Sequence, residues 1–243
     1  MLFNKLVSLA LLAATGSSCA DVPKGAAFDH IFIIFLENTD YDLANSDPNL
    51  RSLFSSGVAL SNYHGVTHSF QPNYFTAIAG DFFVTGTDSP TTWAPLTRRS
   101  STFWKQGSDL ETLPGGHALD LQAGNLPNYS SYTPNVKSDG HDTTVAYASN
   151  WSTGFLALLL SNPTFNNDTL VVLTFDEADD YFDSCNHVLG LLLGSAVHNI
   201  KNTVDSTFYT QYSLISTVTA NWVLTVWVAT ISTSPSPTSL ALS

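Results

Sequence analysis

The chain has 243 residues, 44% hydrophobic and 12% charged, which suits one globular domain with a large core and excludes a disordered or fibrous polypeptide. Twenty acidic residues against eight lysines and arginines give a formal charge of -12, a balance that argues against nucleic acid as a partner.

Residues 1–20 read as a signal peptide. Lys5 precedes an apolar run from Leu6 to Ala14, and Ser18 and Ala20 flank Cys19 at the expected cleavage point. The mature protein is therefore expected to be secreted. Cys19 leaves with the signal, so Cys185 has no second cysteine to pair with and the fold is expected to stand without a disulfide. Sequons at Asn128, Asn150 and Asn167 agree with a secretory route. No stretch is long enough to span a membrane.

Residues 21–231 then read as one domain. Ile31 to Leu36, "IFIIFL", is an unalternating apolar run, as expected of a strand buried on both faces, and Glu37 and Asn38 follow at once. Asp47 and Pro48 open a helix carrying Leu50, Leu53 and Phe54 and ending at Gly57; Val58 to Tyr63 is the next strand, which makes a βαβ unit. In "HSFQPNYFTAIAG", residues 68–80, Pro72 suits a first helical turn, Tyr74, Phe75, Ile78 and Ala79 form an apolar face, and Gly80 closes the helix. Its exposed N–H groups and positive dipole end favour an anion; an ordinary capped core helix would look the same.

From Phe82 to Gly116 periodicity is lost, which predicts a long surface excursion holding the basic pair Arg98 and Arg99. Trp151 to Leu160 is again helical, with Trp151, Phe155, Leu158 and Leu159 on one face. "LVVLTF", Leu170 to Phe175, is a second buried strand, and it too ends in acids, Asp176 and Glu177. Val188 to Leu193 is a third. A last helix carries Leu214, Ile215, Val218 and Trp222, and Ser232 to Ser243 is a Ser/Thr/Pro-rich tail expected to lack structure. The alternation predicts an α/β fold, a three-layer sandwich around a mostly parallel central sheet.

Open α/β sheets bind ligands outside the carboxyl ends of their strands. Glu37, Asn38, Asp176 and Glu177 would together give an oxygen-rich site for a divalent cation, magnesium, calcium, manganese or zinc; an acid after a strand can also simply cap the next helix. His68 precedes the capped helix, His141 lies in "SDGHDTT", and His187 stands at the mouth of the third strand. Phosphoryl transfer needs a nucleophile, cations on the non-bridging oxygens and a proton donor, and these residues offer candidates for each. His30, His64, His117 and His198 have no such context and are read as structural.

"FIIFLENTDYD", "GVTHSFQPNYFTAIAGD", "LPNYSSYTPNVKSDGHDTTVAYASNW" and "LVVLTFDEADDY" followed by "NHVLGLLLG" resemble the phosphoesterase family of fungal secreted acid phosphatases and bacterial phospholipases C, whose fold is alkaline-phosphatase-like. The resemblance spans most of Asp29 to Trp222. It implies that Glu37 with Asn38 and Asp176 with Glu177 are the metal pairs, that His141 is the histidine of the "DGHD" loop, and that the substrate is a small phosphate ester or phospholipid. In the family, the serine before "QPN" attacks phosphorus.

The family string "HPSQPNY" is "HSFQPNY" here, so Phe70 takes the nucleophile's place and Ser69 lies one residue earlier. The excursion from Phe82 to Gly116 is shorter than the family's middle region, Gln211 replaces the histidine of "THYS", and "NWVLTVWVATIS" replaces a glycine-containing ending, so the last part of the sheet is expected to be incomplete. Two readings follow. In one, the chain is a metal-assisted phosphomonoesterase, with Ser69 attacking and His141 or His187 protonating the leaving oxygen; a phospholipase C differs only in the leaving group. In the other, it is a non-catalytic secreted glycoprotein that keeps the fold.

Overall fold

The computed structural model describes residues 24–68, 70–80, 121–122, 124, 126–181, 185–224 and 239–240. The signal segment, Ser69, the excursion from Phe82 to Gly116 and most of the tail lie outside them.

The first strand, β1 (His30–Leu36), explains the layering. Alternate residues of a strand face opposite ways, so Phe32 and Phe35, three apart, point to different sides of the sheet. Phe35 meets Tyr74 edge-on, ring centroids 4.9 Å apart, under helix α3 (Phe70–Ala79). Phe32 meets Phe155 at 6.5 Å under helix α4 (Val145–Ser161). Both faces of β1 are therefore covered, as its unbroken apolar run requires. Helix α2 (Pro48–Phe54) packs beside α4, and α5 (Gln211–Trp222) beside α3, completing two helical layers. The Asp47 carboxylate caps α2 by accepting from Asn49 and Leu50 N–H groups at 2.9 and 3.0 Å. A short helix α1 (Tyr41–Ser46) precedes it.

The sheet also contains β2 (Val58–His64), β3 (Tyr129–Tyr132), β4 (Thr169–Phe175), β5 (His187–Leu193), β6 (Thr203–Asp205) and β7 (Tyr209–Thr210). Its order is β3-β1-β4-β5-β2-β6, with β7 also paired to β2. β1 runs parallel to β3 and β4, and β2 parallel to β6 and β7, while β5 is antiparallel to both β4 and β2. This is the expected α/β architecture with a mixed, mostly parallel sheet.

The βαβ reading holds for direction but not adjacency. β1 and β2 point the same way, yet β4 and β5 stand between them, because a strand buried along its whole length takes a central place and chain order does not encode that. Leu158 is likewise not on the buried face of α4: it is 66% exposed, whereas Ala148, Ser152, Phe155 and Leu159 form the stripe at four-three-four spacing. In the C-terminal tail, Leu240 is buried and its N–H donates to Thr217 Oγ1 at 2.8 Å. No helix among the described residues is long and apolar enough to cross a membrane.

Candidate active site

The two acidic doublets meet because of strand register. Leu36 pairs with Phe175 at the carboxyl ends of β1 and β4, and the Asp176 N–H donates to Leu36 O at 3.0 Å, so Glu37 and Asn38 emerge beside Asp176 and Glu177. Asn38 turns the chain away in the left-handed region, at φ 49, a conformation asparagine tolerates better than most residues. Its N–H reaches Asp176 Oδ1 at 3.4 Å, and the same oxygen accepts from Glu177 N–H at 2.7 Å. Thr39 N–H donates to Glu177 O at 3.3 Å. Asp176 and Glu177 are fully buried and Glu37 nearly so.

Burial pushes the Asp176 carboxyl well above the usual carboxylate range, and the neighbouring Glu37 and Glu177 charges push it further; two backbone N–H bonds offset only part of this. Asn38 Oδ1 and Asp176 Oδ2 are buried acceptors with no hydrogen-bond donor among the described residues. Leaving such groups unmatched costs about 1–3 kcal/mol each. The glutamates each present one oxygen to a tyrosine: Tyr74 OH donates to Glu37 Oε1 at 2.9 Å, and Tyr181 OH to Glu177 Oε1 at 3.0 Å. With those oxygens engaged, no group of three or more His, Cys, Asp or Glu side chains among the described residues is gathered closely enough to hold an ion as it stands. The donor set itself, carboxylates and an amide oxygen with two acceptors unmatched, fits a hard divalent cation.

A loop after β3 closes the same rim, since β3 lies parallel to β1 and its last residue, Tyr132, pairs with Ile34, two residues before β1 ends. The Glu37 N–H donates to Asp139 O at 2.9 Å, and Gly140, at φ 107, passes close to Glu37 O, where a Cβ would lie 3.4 Å away. Asp139 is 1% exposed, and burial raises its carboxyl to about 7, with Glu37 adding to the rise. Its Oδ1 accepts from His141 N–H at 2.9 Å. The His141 ring is half-exposed, with Nδ1 3.0 Å from Asp142 Oδ1; that contact, helped by the Glu37 charge, raises its pKa.

On the other side, the turn before α3 is shaped by Asn73, whose Oδ1 accepts from Val66 and Thr67 N–H at 2.9 and 3.1 Å while Nδ2 donates to Thr67 O at 2.7 Å. His68 Nδ1 lies 3.9 Å from Glu177 Oε2, which brings the start of α3 to the acidic rim. α3 begins at Phe70, so Pro72 falls in its first turn, and Gly80 follows it at φ 69. Ser69, the nucleophile candidate, lies outside the described residues. His187 instead stacks between Tyr41 and His64, centroids 4.1 and 4.8 Å away, with Nε2 3.0 Å from Ser61 O.

The structure thus joins Glu37, Asn38, Asp176 and Glu177 with His68 and the His141 loop. It adds residues that the sequence reading passed over. Tyr74 was legible only as an apolar position, and Tyr181 and Asp139 only as loop residues. Gln211, noted for replacing a histidine, is fully buried and donates Nε2 to Asp176 O at 2.9 Å.

The fold is similar to that of a protein in the alkaline phosphatase superfamily from Vibrio parahaemolyticus, which superposes with a TM-score of 0.56 at 12% identity, over 79% of this chain and 65% of that one. The profile of the Phosphoesterase family matches residues 92–225, and the chain belongs to that family. It is 36% identical to a probable acid phosphatase of Kluyveromyces lactis, over 87% of this chain and 63% of that protein. It is 32% identical to an acid phosphatase of Aspergillus fumigatus, over 83% of this chain and 56% of the relative. The chain therefore spans less than two thirds of the length of these relatives.

Proposed function

We propose that this chain is a secreted, acid-operating phosphoesterase that releases phosphate from small phosphate monoesters with the help of a divalent cation. The observation that carries the reading is the pair of buried, donorless oxygens, Asn38 Oδ1 and Asp176 Oδ2, at the rim where β1 and β4 end and α3 begins. The likeness to fungal acid phosphatases supports the reaction class, and the signal segment supports secretion.

Asn38, Asp176, Glu37 and Glu177 would hold the cation, which would supply positive charge to offset that of the non-bridging oxygens of the phosphate. The N-terminus of α3 adds backbone N–H groups for the same anion. Ser69 is the proposed nucleophile: its hydroxyl gives its proton up to solvent water as its oxygen forms a bond to phosphorus and the bond to the leaving oxygen breaks, and water later hydrolyses the phosphoserine. His141, with its pKa raised beside Asp142, gives its proton to the leaving oxygen and is well suited to do so in acid. His187 was the other candidate for this role; its engagement with Ser61 and the ring stack favours His141.

The test is release of phosphate from an aryl phosphate near pH 5 by the purified full chain, with and without chelator. Turnover lost with chelator and in Asp176→Ala is the expected result; turnover indifferent to both would overturn the site. One observation favours a second reading: Phe70, not serine, opens α3. In that case the protein binds cation and phosphate without turnover, and Ser69→Pro with Phe70→Ser would restore it.

A further inference from the structure

Asn186 lies outside every role assigned above, yet it touches both halves of the site. It stands one residue before β5. Because β5 runs antiparallel to β4, its start lies at the rim where β4 ends. Asn186 is 4% exposed and sits at φ 46, so its side chain is directed by a left-handed backbone turn rather than by strand geometry.

Its amide is used at both ends. Oδ1 accepts from the N–H of Ala178, the residue after Glu177, at 2.8 Å. Nδ2 donates to the carbonyl of Thr67, in the turn that leads into α3, at 2.9 Å. Its backbone carbonyl accepts from Gly65 N–H at 2.8 Å. A Cβ at Gly65 would fall 2.3 Å from Asn186 Nδ2, so a larger residue there would displace the Asn186 side chain. The Thr67 carbonyl also accepts from Asn73, so one peptide group is held from two directions.

We propose that Asn186 is a positioning residue that fixes the separation between the cation-holding turn at Asp176–Glu177 and the anion-facing turn that opens α3. The inference rests on the phosphoesterase reading and specifies what couples its two halves. Only a side chain with one donor and one acceptor at this reach satisfies both partners. Alanine supplies neither. An ionised aspartate can still accept from Ala178 but faces the Thr67 carbonyl with a second acceptor, whereas a protonated aspartic acid offers an acceptor and a hydroxyl donor and so imitates the amide.

That difference gives a readout that simple loss of stability would not produce. In the full chain, kcat on an aryl phosphate is compared from pH 4.5 to 7 for wild type, Asn186→Ala and Asn186→Asp. His68, Glu177, Cys185 and His187 flank the tie in all three proteins, so each variant is read as a ratio to wild type. The Asn186→Asp ratio should rise about tenfold or more as the pH falls, while the Asn186→Ala ratio stays low and flat. Parallel profiles for the two variants, or Asn186→Ala within twofold of wild type throughout, would overturn the proposal.

Calorimetry with Mn2+ and inorganic phosphate reads the same tie without turnover. In wild type, Mn2+ should strengthen phosphate binding, and in Asn186→Ala that strengthening should fall about fivefold or more. An unchanged Mn2+ effect in the variant would overturn the role of Asn186 alone. Wild-type protein with neither turnover nor Mn2+-dependent phosphate binding would overturn the phosphoesterase reading, and this inference with it.

Discussion

Tyr74 donates its phenolic hydroxyl to Glu37 Oε1 at 2.9 Å, tying helix α3 to the first acidic doublet. Tyr74 is 1% exposed and packs edge-on against Phe35. Burial and the nearby Asp176 and Glu37 charges push its pKa well up, so the hydroxyl remains a donor. Tyr74→Phe keeps the ring and deletes the hydrogen bond to a charged acceptor, which should cost about 1.5–3 kcal/mol of stability. It should also weaken Mn2+ binding about tenfold, the effect of losing a group that orients a ligand. Chemical denaturation and Mn2+ titration measure the two losses, and a variant indistinguishable from wild type in both would refute the tie.

The metal-free protein should be more stable in acid than at neutrality. Asp139 is raised to about 7 and Asp176 well above its ordinary range, so the folded chain holds these protons more tightly than the unfolded chain does. Stability therefore falls as pH climbs from near the ordinary aspartate range through about 7, and the fall continues as Asp176 loses its proton. The raised pKa of His141 acts in the same direction, since a proton held more tightly when folded stabilises the fold at low pH. Melting temperatures of chelated protein should be higher at pH 5 than at pH 7.5 by on the order of 5 °C, and Asp139→Asn should flatten the difference. A higher melting temperature at pH 7.5 would contradict the carboxyl environments described here.

The strands and helices that were legible in the sequence owe it to strong periodicity. β1 and β4 announce themselves as apolar runs, and α2 carries its cap in Asp47 and Pro48. β3 was missed because "YSSY" sets two adjacent serines between its tyrosines and so shows neither an apolar run nor a period of two, and β6 because its three residues are mostly exposed. The doublets were found because a polar pair directly after a buried strand has a fixed place in this kind of sheet. Tyr74, Asn73, Asn186 and Gln211 carry no such signature. Each acts through a hydrogen bond to a partner far away in sequence or to a backbone group of a neighbouring turn, and only the folded chain brings those groups within reach.

Asp176→Asn should separate stability from function. The substitution keeps the shape and removes the carboxyl whose proton affinity burial and the neighbouring Glu37 and Glu177 charges raise. Without metal, the variant should melt higher than wild type at pH 7.5, by several degrees for a gain of about 1–2 kcal/mol. Its Mn2+ affinity and its turnover of an aryl phosphate should both be lost. A lower melting temperature, or turnover that survives, would remove Asp176 from the centre of the site.

The three sequons should differ in occupancy when the chain is expressed through a secretory host. Asn150, on α4, and Asn167, in the turn before β4, are exposed and have room for a glycan. Asn128 is half-buried, and its Nδ2, the atom that a glycan would occupy, donates to Asp29 O at 2.9 Å at the edge of β1. Oligosaccharide is added before folding is complete, so molecules modified at Asn128 would lose that contact and fold poorly, leaving the secreted pool unmodified there. Glycopeptide mass spectrometry should find sugar at Asn150 and Asn167 and bare asparagine at Asn128. Asn128→Gln should then leave the glycan mass unchanged but lower the melting temperature by several degrees, because it breaks a part-buried hydrogen bond worth about 1 kcal/mol. A stable secreted protein glycosylated at Asn128 would show that this contact is dispensable.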